Sequence, residues 1–315
     1  SVTNMTSGMD QWEWGTVNCH DLVVDFGIQG LWKYHKKEWS LLIEEDVQYL
    51  YAKNENLYVD GGPLGLWQLV DPDWKRLTAL DADNINNTMI VLDKDLFVDF
   101  GTNGFWTYSD NQWVQVARKD IEFLYTYQDK LYVDGGTLGL WQFDGINWTR
   151  LTTLDADNTG NTMVASDTGL FVDFGTSGLM QYIDNKWTVL TSIDVEYLYT
   201  YHAKLLVDAG AKGLWQFDGV NPTRLTFRDA DNTGNPIIAY GNSLAVDFGN
   251  QGLWKYDGIL WTQLNDLDVE YLSVLEEKLI VDAGILGLWQ YDDILWKKIR
   301  DDNADNNGNT MVEQP

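Results

Sequence analysis

Apolar residues in this chain fall in short runs, and glycine, aspartate and asparagine separate the runs. The stretch LFVDFGTSGLMQYIDNKWTVL, residues 170–190, shows the arrangement, and a version of it occurs eight times. Its fixed parts are an apolar pair, Val-Asp, a glycine two residues later, Gly-Leu-Trp or a close variant, and a second tryptophan. Successive Val-Asp pairs lie alternately 35 and 39 residues apart, so the chain is a tandem repeat.

Each copy predicts four short β-strands, with typical sequences LYTY or TMVA, LYVD, LWQYD and WTRL. β-Branched and aromatic residues fill these runs, and the breaks between them have hairpin length. Copies of about 37 residues repeated without spacers predict an all-β fold, an eight-bladed β-propeller with four antiparallel strands per blade. Four blades of about 74 residues are the alternative, but the half-repeats match motif for motif, which favours eight.

The two ends of the repeat predict how the ring closes. Residues 1–14 form an extension outside the repeat, and residues 15–315 form a single propeller. The segment GTVN at 15–18 can start the first blade, while NTMV at 309–312 is a spare first strand. We expect the strand at 309–312 to join the N-terminal blade, because a closed ring leaves no open sheet edge.

The Val-Asp turn is the first candidate for a binding site. In one interpretation the aspartate accepts hydrogen bonds from turn amides and fixes the bend, while the tryptophan packs between blades. In the other, the carboxylate and the indole face bind a sugar. The aspartates are Asp25, Asp60, Asp99, Asp134, Asp173, Asp208, Asp247 and Asp282. The tryptophans seven residues later are Trp32, Trp67, Trp106, Trp141, Trp215, Trp254 and Trp289, with Met180 at the fifth position.

A second candidate is the loop of the longer copies, which reads DADN in three of them and NADN, from Asn303, in the last; we call all four the DADN loops. Oxygen-bearing residues at its first, third and later positions resemble a calcium loop, although no glutamate occupies the twelfth position. A self-satisfied turn and contact with an organic ligand are the other interpretations. The candidate Ca²⁺ ligands are Asp81, Asp83, Asn87, Asp155, Asp157, Asn161, Asp229, Asp231, Asn235 and Asp305. Both candidate segments are expected on one face of the disc, with four-fold pseudo-symmetry.

Composition narrows the classes of function. A net charge of −27 with no basic block makes nucleic-acid and membrane-surface binding unfavourable, and no apolar run has membrane-spanning length. The single cysteine, Cys19, excludes an intramolecular disulfide. The carboxylates recur symmetrically, and no nucleophile elbow, phosphate loop or Cys-His pair is present. The sequence therefore predicts a protein that is not an enzyme, with a central-channel active site as the weakest alternative.

The repeat, with its Gly-Leu-Trp-Gln and Trp-Thr-x-Leu segments, resembles the tandem-repeat propellers of lectin type, whose blades are nearly identical and rich in aromatic residues. The resemblance covers residues 15–313 and implies a propeller fold and carbohydrate recognition. It supplies no binding residues, since the sugar-site motif of the horseshoe-crab lectin propeller does not map onto this chain. We therefore expect a secreted or cell-surface lectin, with a Ca²⁺-stabilised module that binds a protein partner as the alternative.

Overall fold

The computed structural model describes residues 20–70, 72–83, 85–305 and 307–314, and these form an eight-bladed β-propeller. Each blade is a four-stranded antiparallel sheet, and the first strands of neighbouring blades contact each other around the centre of the ring. The predicted fold class is confirmed. The predicted first strand at 15–18 and the extension at 1–14 lie outside the described residues.

The strands of the first half coincide with the repeated segments that the sequence predicts to be strands. Blades 1 and 2 contain β1 (Asp21–Asp25), β2 (Leu31–His35), β3 (Glu38–Ile43), β4 (Tyr49–Lys53), β5 (Asn56–Asp60), β6 (Leu66–Val70) and β7 (Asp73–Thr78). Blades 3 and 4 contain β8 (Met89–Leu92), β9 (Asp95–Asp99), β10 (Phe105–Ser109), β11 (Gln112–Ala117), β12 (Phe123–Tyr127), β13 (Lys130–Asp134), β14 (Leu140–Phe143) and β15 (Trp148–Thr152).

The second half repeats this order. Blades 5 and 6 contain β16 (Met163–Ser166), β17 (Gly169–Asp173), β18 (Leu179–Ile183), β19 (Lys186–Thr191), β20 (Tyr197–Tyr201), β21 (Lys204–Asp208), β22 (Leu214–Asp218) and β23 (Asn221–Thr226). Blades 7 and 8 contain β24 (Ile237–Tyr240), β25 (Ser243–Asp247), β26 (Leu253–Tyr256), β27 (Trp261–Asn265), β28 (Tyr271–Leu275), β29 (Lys278–Asp282), β30 (Leu288–Tyr291) and β31 (Trp296–Arg300).

The last strand, β32 (Met311–Gln314), belongs to the sheet of blade 1. It pairs antiparallel with β1, and Met311 lies opposite Val24. The sequence places this strand at 309–312, two residues earlier. Because the two ends of the described chain share one sheet, the ring is closed by backbone hydrogen bonds.

Between the second and third strands of every blade the chain makes one turn of 3₁₀ helix that begins at the repeated glycine. The glycine that follows each turn is required. At Gly65 the backbone has φ +84°, and a Cβ atom would lie 2.2 Å from the Thr78 carbonyl oxygen. The core lies between blades, where apolar side chains from both faces of each sheet pack against the neighbouring sheets. No helix among the described residues is long and apolar enough to span a membrane.

Candidate functional site

The eight strand-end aspartates hold the turns together. In blade 1 the Asp25 Oδ1 atom accepts a hydrogen bond of 2.9 Å from the Gly27 amide. The equivalent bond is present in every blade, with donor–acceptor distances between 2.9 and 3.2 Å. Each aspartate is at most 2% exposed. The turn interpretation therefore describes their structural role.

The sequence offers these aspartates as sugar ligands, but they are too deeply buried to contact a sugar. A carboxylate that is 0–2% exposed and bonded to its own turn does not reach a sugar hydroxyl at the surface. The residues to which this correction applies are Asp25, Asp60, Asp99, Asp134, Asp173, Asp208, Asp247 and Asp282.

A tripeptide with an apolar residue between two acidic or amide residues links every blade to the next. In the link between blades 2 and 3 it is Asp81-Ala82-Asp83: Ala82 is buried, and the Asp83 amide donates to the Asp99 carbonyl at 2.9 Å. In the shorter link before blade 4, the Glu122 amide donates to the carbonyl of the strand-end aspartate in the same way. The eight tripeptides begin at Asp46, Asp81, Asp120, Asp155, Asp194, Asp229, Asp268 and Asn303.

These tripeptides surround most buried aspartates with negative charge. The pKa of Asp25 is raised to about 8, mainly by burial; the Gly27 amide opposes the rise, and the nearby carboxylates of Asp46 and Asp305 add to it. Burial likewise raises the pKa of Asp247 to about 8, and that of each other strand-end aspartate to about 7. At neutral pH this face of the disc therefore holds protons that ordinary aspartates would have released.

The DADN loops do not gather their oxygen atoms around one point, as a calcium loop would. The first acidic residue faces the blade before the loop, and the third faces the blade after it: Asp155 lies beside Asp134, whereas Asp157 lies beside Asp173. Asp81 and Asp83, Asp229 and Asp231 divide in the same way, and Asp305 lies beside the blade 1 aspartate.

The loop asparagines serve as links between blades. The Asn161 side-chain amide donates to the Leu198 carbonyl at 2.8 Å. Asn87 and Asn235 each donate to the equivalent carbonyl and also accept a tyrosine hydroxyl hydrogen bond. These contacts use the side-chain oxygen of Asn87 and Asn235, which is the atom that would bind a metal, whereas the contact of Asn161 uses its NH2 group.

The seven candidate tryptophans also fix their own turns. Each indole Nε1 atom donates to the carbonyl three residues earlier, as Trp67 does to Leu64 at 3.0 Å. The same bond is present for Trp32, Trp106, Trp141, Trp215, Trp254 and Trp289. The rings remain half-buried. A cationic side chain lies over the ring of every one except Trp106, as Arg76 does over Trp67 with its guanidinium carbon 5.9 Å from the ring centroid.

Odd-numbered and even-numbered blades differ at the residue after the aspartate. Odd blades carry a phenylalanine there: Phe26, Phe100, Phe174 and Phe248. Each phenylalanine is buried and packs against the second tryptophan of its blade, with ring centroids 5.4–5.5 Å apart. Even blades carry only Gly61, Gly135, Ala209 and Ala283.

The missing phenylalanine leaves a groove between an odd blade and the next even blade, which we call the odd–even groove. Between blades 1 and 2 it has a volume of about 460 Å³ and is lined by Leu42, Ile43, Gly61, Trp67 and Trp74. The equivalent groove between blades 7 and 8 has a volume of about 200 Å³ and contains Trp289 and Trp296. Small residues in even blades thus leave aromatic grooves. These grooves lie at the edge of the disc face that carries the eight tripeptides, which we call the acidic face.

The second tryptophans differ between the two kinds of junction. In odd blades the indole Nε1 donates to a carbonyl of the preceding blade, as Trp113 does to Leu77 at 2.9 Å. Trp39, Trp187 and Trp261 make the same bond. In even blades none of the described residues accepts a hydrogen bond from the indole of Trp74, Trp148 or Trp296. Each odd–even groove with two tryptophans therefore presents a donor as well as an aromatic surface.

The junction between blades 5 and 6 departs from this pattern. Pro222 replaces the second tryptophan, and Lys212 replaces the partly exposed leucine found at Leu64, Leu138 and Leu286. Met180, the other departure from the repeat, packs against the core of blades 4 and 5 and does not line a groove. Three of the four odd–even junctions thus keep both tryptophans.

Comparison with protein-family models gave no match, and neither did comparison with curated protein sequences. Among solved structures the chain is similar to BamB from Moraxella catarrhalis, with 10% identity, a TM-score of 0.57 and coverage of 85% of this chain and 90% of BamB. It is also similar to the computationally designed Ika8 protein, with 9% identity, a TM-score of 0.60 and 92% of both chains covered. YCF48 bound to D1 peptide matches with 12% identity, a TM-score of 0.51, and 75% and 89% coverage. At these identities the similarity shows the propeller fold.

Two features of this surface are not among those that we predict from the sequence. The linking tripeptide begins 21 residues after every Val-Asp aspartate, in short and long copies alike, and counting forward from each aspartate would have revealed it. The alternation of phenylalanine with glycine or alanine is equally visible in the sequence. Its consequence requires the packing of neighbouring blades, because the groove is formed by two blades together.

Proposed function

We propose that this protein binds neutral carbohydrates at several equivalent odd–even grooves. The observation that carries the proposal is the pair of half-buried tryptophans at three of the four odd–even junctions, one with an indole N–H that no described residue accepts. The C–H face of a sugar ring packs well on an indole, and its hydroxyls both donate and accept hydrogen bonds. Glu44 and Glu45 also line the groove between blades 1 and 2 and provide acceptors.

The charge of the protein favours a neutral sugar. The chain carries a net charge of −27, and the acidic face adjoins the grooves, so sialylated or sulfated glycans are repelled. Repetition supports the same function, because several equal sites on a rigid ring raise the avidity for a branched or repetitive glycan. An extracellular location, and the absence of enzymatic activity, stay predictions.

A glycan array tests the proposal with two matched triple variants. In the first, the even-blade tryptophans that line grooves are replaced: Trp67→Ala, Trp141→Ala and Trp289→Ala. In the second, the tryptophans at the same motif position of odd blades are replaced: Trp32→Ala, Trp106→Ala and Trp254→Ala. Both sets remove the same turn hydrogen bond, so they control for stability.

We expect the native protein to bind uncharged glycans and the even-blade variant to lose at least about tenfold in apparent affinity, since lost stacking at several sites multiplies. The odd-blade variant should bind as the native protein does. An array without any bound glycan, or equal losses in the two variants, would contradict the proposal.

The acidic face supports a second candidate, a docking surface for a cationic protein. Eight tripeptides place exposed or half-exposed carboxylates around one side of the disc, as Asp155 and Glu122 do beside blade 4. Such an interaction depends on charge and weakens in concentrated salt, whereas stacking of a neutral sugar does not. Binding that disappears in about 1 M NaCl, where the screening length is about 3 Å, therefore favours the protein partner.

A further inference from the structure

Three carboxylates converge at the edge of blade 4 and again at the edge of blade 6. In blade 4 they belong to Glu122, Asp134 and Asp155, and one oxygen atom of each lies within 4.8 Å of the others. In blade 6 the equivalent residues are Glu196, Asp208 and Asp229, at the same mutual distances. Each cluster takes its residues from the preceding link, the blade itself and the following link.

The central aspartate of each cluster has an unsatisfied oxygen atom. Asp134 and Asp208 are 0% exposed, and their Oδ1 atoms accept glycine amides at 3.1 and 3.2 Å. Their Oδ2 atoms are buried and have no hydrogen-bond partner among the described residues. The Ala156 and Ala230 amides lie near these two carboxyls and lower their pKa values, but neither amide makes a hydrogen bond to the Oδ2 atom. Buried polar atoms are rarely left unpaired, so these oxygens point to a missing partner.

The glutamate of each cluster is held close by two neighbours. The Asn158 side-chain amide donates a hydrogen bond to Glu122, and Asn232 does the same for Glu196. A Cβ atom at Gly136 would lie 2.6 Å from Glu122 Oε1, so only glycine allows the carboxylate to approach this closely. The equivalent distance at Gly210 is 2.3 Å. The turn that fixes the aspartate thus also makes room for the second carboxylate.

We propose that the clusters of blades 4 and 6 each bind one divalent cation, with Ca²⁺ as the preferred ion. Three carboxylates supply only oxygen ligands, which hard cations prefer, and Ca²⁺ accepts the irregular geometry and the bound water that such an open site requires. Asp155 and Asp229 are exposed, so the ion has a path from solvent. The proposed sites are independent of the odd–even grooves and go beyond the proposed carbohydrate binding.

Blades 2 and 8 provide internal comparisons, because each replaces one carboxylate with an amide. Gln48 stands at the position of Glu122 in blade 2, and Asn303 stands at the position of Asp155 in blade 8. The central aspartates Asp60 and Asp282 keep the same buried Oδ2 atom without a partner. With two carboxylates each, these clusters should bind Ca²⁺ much more weakly. Blades 1, 3 and 5 also bring three carboxylates within 4.8 Å of one another, but none of their central aspartates, Asp25, Asp99 and Asp173, has a buried oxygen atom without a partner among the described residues. Two tight sites per chain are therefore expected, in blades 4 and 6.

Calcium titration of the full chain tests the proposal. The protein is stripped with EDTA, dialysed, and titrated with CaCl₂ at neutral pH by calorimetry, and its melting temperature is measured with and without about 1 mM CaCl₂. We expect two ions per chain and a melting temperature that rises by several degrees. The double variant Asp134→Asn and Asp208→Asn keeps an oxygen acceptor for each glycine amide and should lose both effects.

Two further variants distinguish a cation site from a general loss of acidity. Asp60→Asn with Asp282→Asn makes the same change in blades 2 and 8 and should retain both bound ions. Glu122→Gln with Glu196→Gln copies the blade 2 arrangement and should abolish binding even if the aspartate variants fold poorly. The absence of calcium heat and of a melting shift in the native protein would overturn the proposal. Equal loss of calcium in the blade 2 and 8 variant would do the same.

Discussion

Replacing Phe100 with alanine tests whether the odd-blade phenylalanine closes its junction. Phe100 is 3% exposed and packs edge-on against Trp113, with ring centroids 5.4 Å apart and an interplanar angle of 67°. Trp113 in turn donates to the carbonyl of Leu77 in the preceding blade. The substitution therefore removes the ring that fills the space between two blades and supports an inter-blade hydrogen bond.

The expected loss follows from the buried area. A phenylalanine buries at least about 150 Å², which at about 25 cal/mol per Å² corresponds to roughly 4 kcal/mol. The edge-on contact with the indole adds about 0.5–1.5 kcal/mol. The burial value lies within the loss of about 3–5 kcal/mol that is typical of phenylalanine-to-alanine changes in protein cores. We expect the free energy of unfolding to fall by about 4 kcal/mol.

Urea denaturation followed by tryptophan fluorescence and by circular dichroism measures this loss through the midpoint and the slope. Val114→Ala, at a side chain that is 57% exposed in the same blade, is the control and should change stability by less than about 0.5 kcal/mol. A loss below about 1 kcal/mol for Phe100→Ala, with an unchanged slope, would refute the argument that phenylalanine seals the odd-blade junction.

Three further predictions concern charge, closure and the grooves. Because burial and the carboxylates of Asp46 and Asp305 raise the pKa of Asp25 to about 8, the folded state holds a proton that the unfolded chain loses near pH 4. The melting temperature of the native protein, measured in EDTA, should therefore fall as the pH rises from 5 to 9. The melting temperature of Asp25→Asn should fall less, so that the difference between the two proteins grows with pH. A constant difference across this range would contradict the prediction. Deletion of residues 309–315 removes the strand that pairs with β1 and should lower the free energy of urea unfolding by about 5 kcal/mol or more. Adding the missing peptide should restore the stability, and an unchanged urea midpoint would contradict closure of the ring by this strand. Ala283→Phe fills the groove between blades 7 and 8 and should raise stability by about 0.5–2 kcal/mol; a lower urea midpoint would show that the groove is already packed.

Most of the fold can be predicted from the repeat. The Val-Asp spacing and the two tryptophans recur in a constant register, so the number of blades and the strand order follow from counting. For aspartates such as Asp25, the sequence allows either a role in the turn or a role in sugar binding, because it does not show how deeply a side chain is buried. The structure separates the two, because a carboxylate this deeply buried is bonded to its own turn.

The candidate site was less accessible to sequence reasoning, because its elements come from two blades. The DADN loop resembles a single calcium loop when it is read along the chain. In three dimensions Asp155 and Asp157 face different blades, and Glu122 joins Asp155 from a link 33 residues earlier. Likewise, the small residue at Gly61 is visible in the sequence, but only its position opposite Leu42 and Trp74 makes it part of a groove.

A crystal structure of the protein with a glycan selected from the array tests the central claim most directly. The account predicts density for the sugar in the odd–even grooves, against Trp67 and Trp74 and at the equivalent positions of blades 4 and 8. The groove beside Pro222 should be empty. Sugar density at the phenylalanine-filled junctions, or in the centre of the ring, would contradict the account.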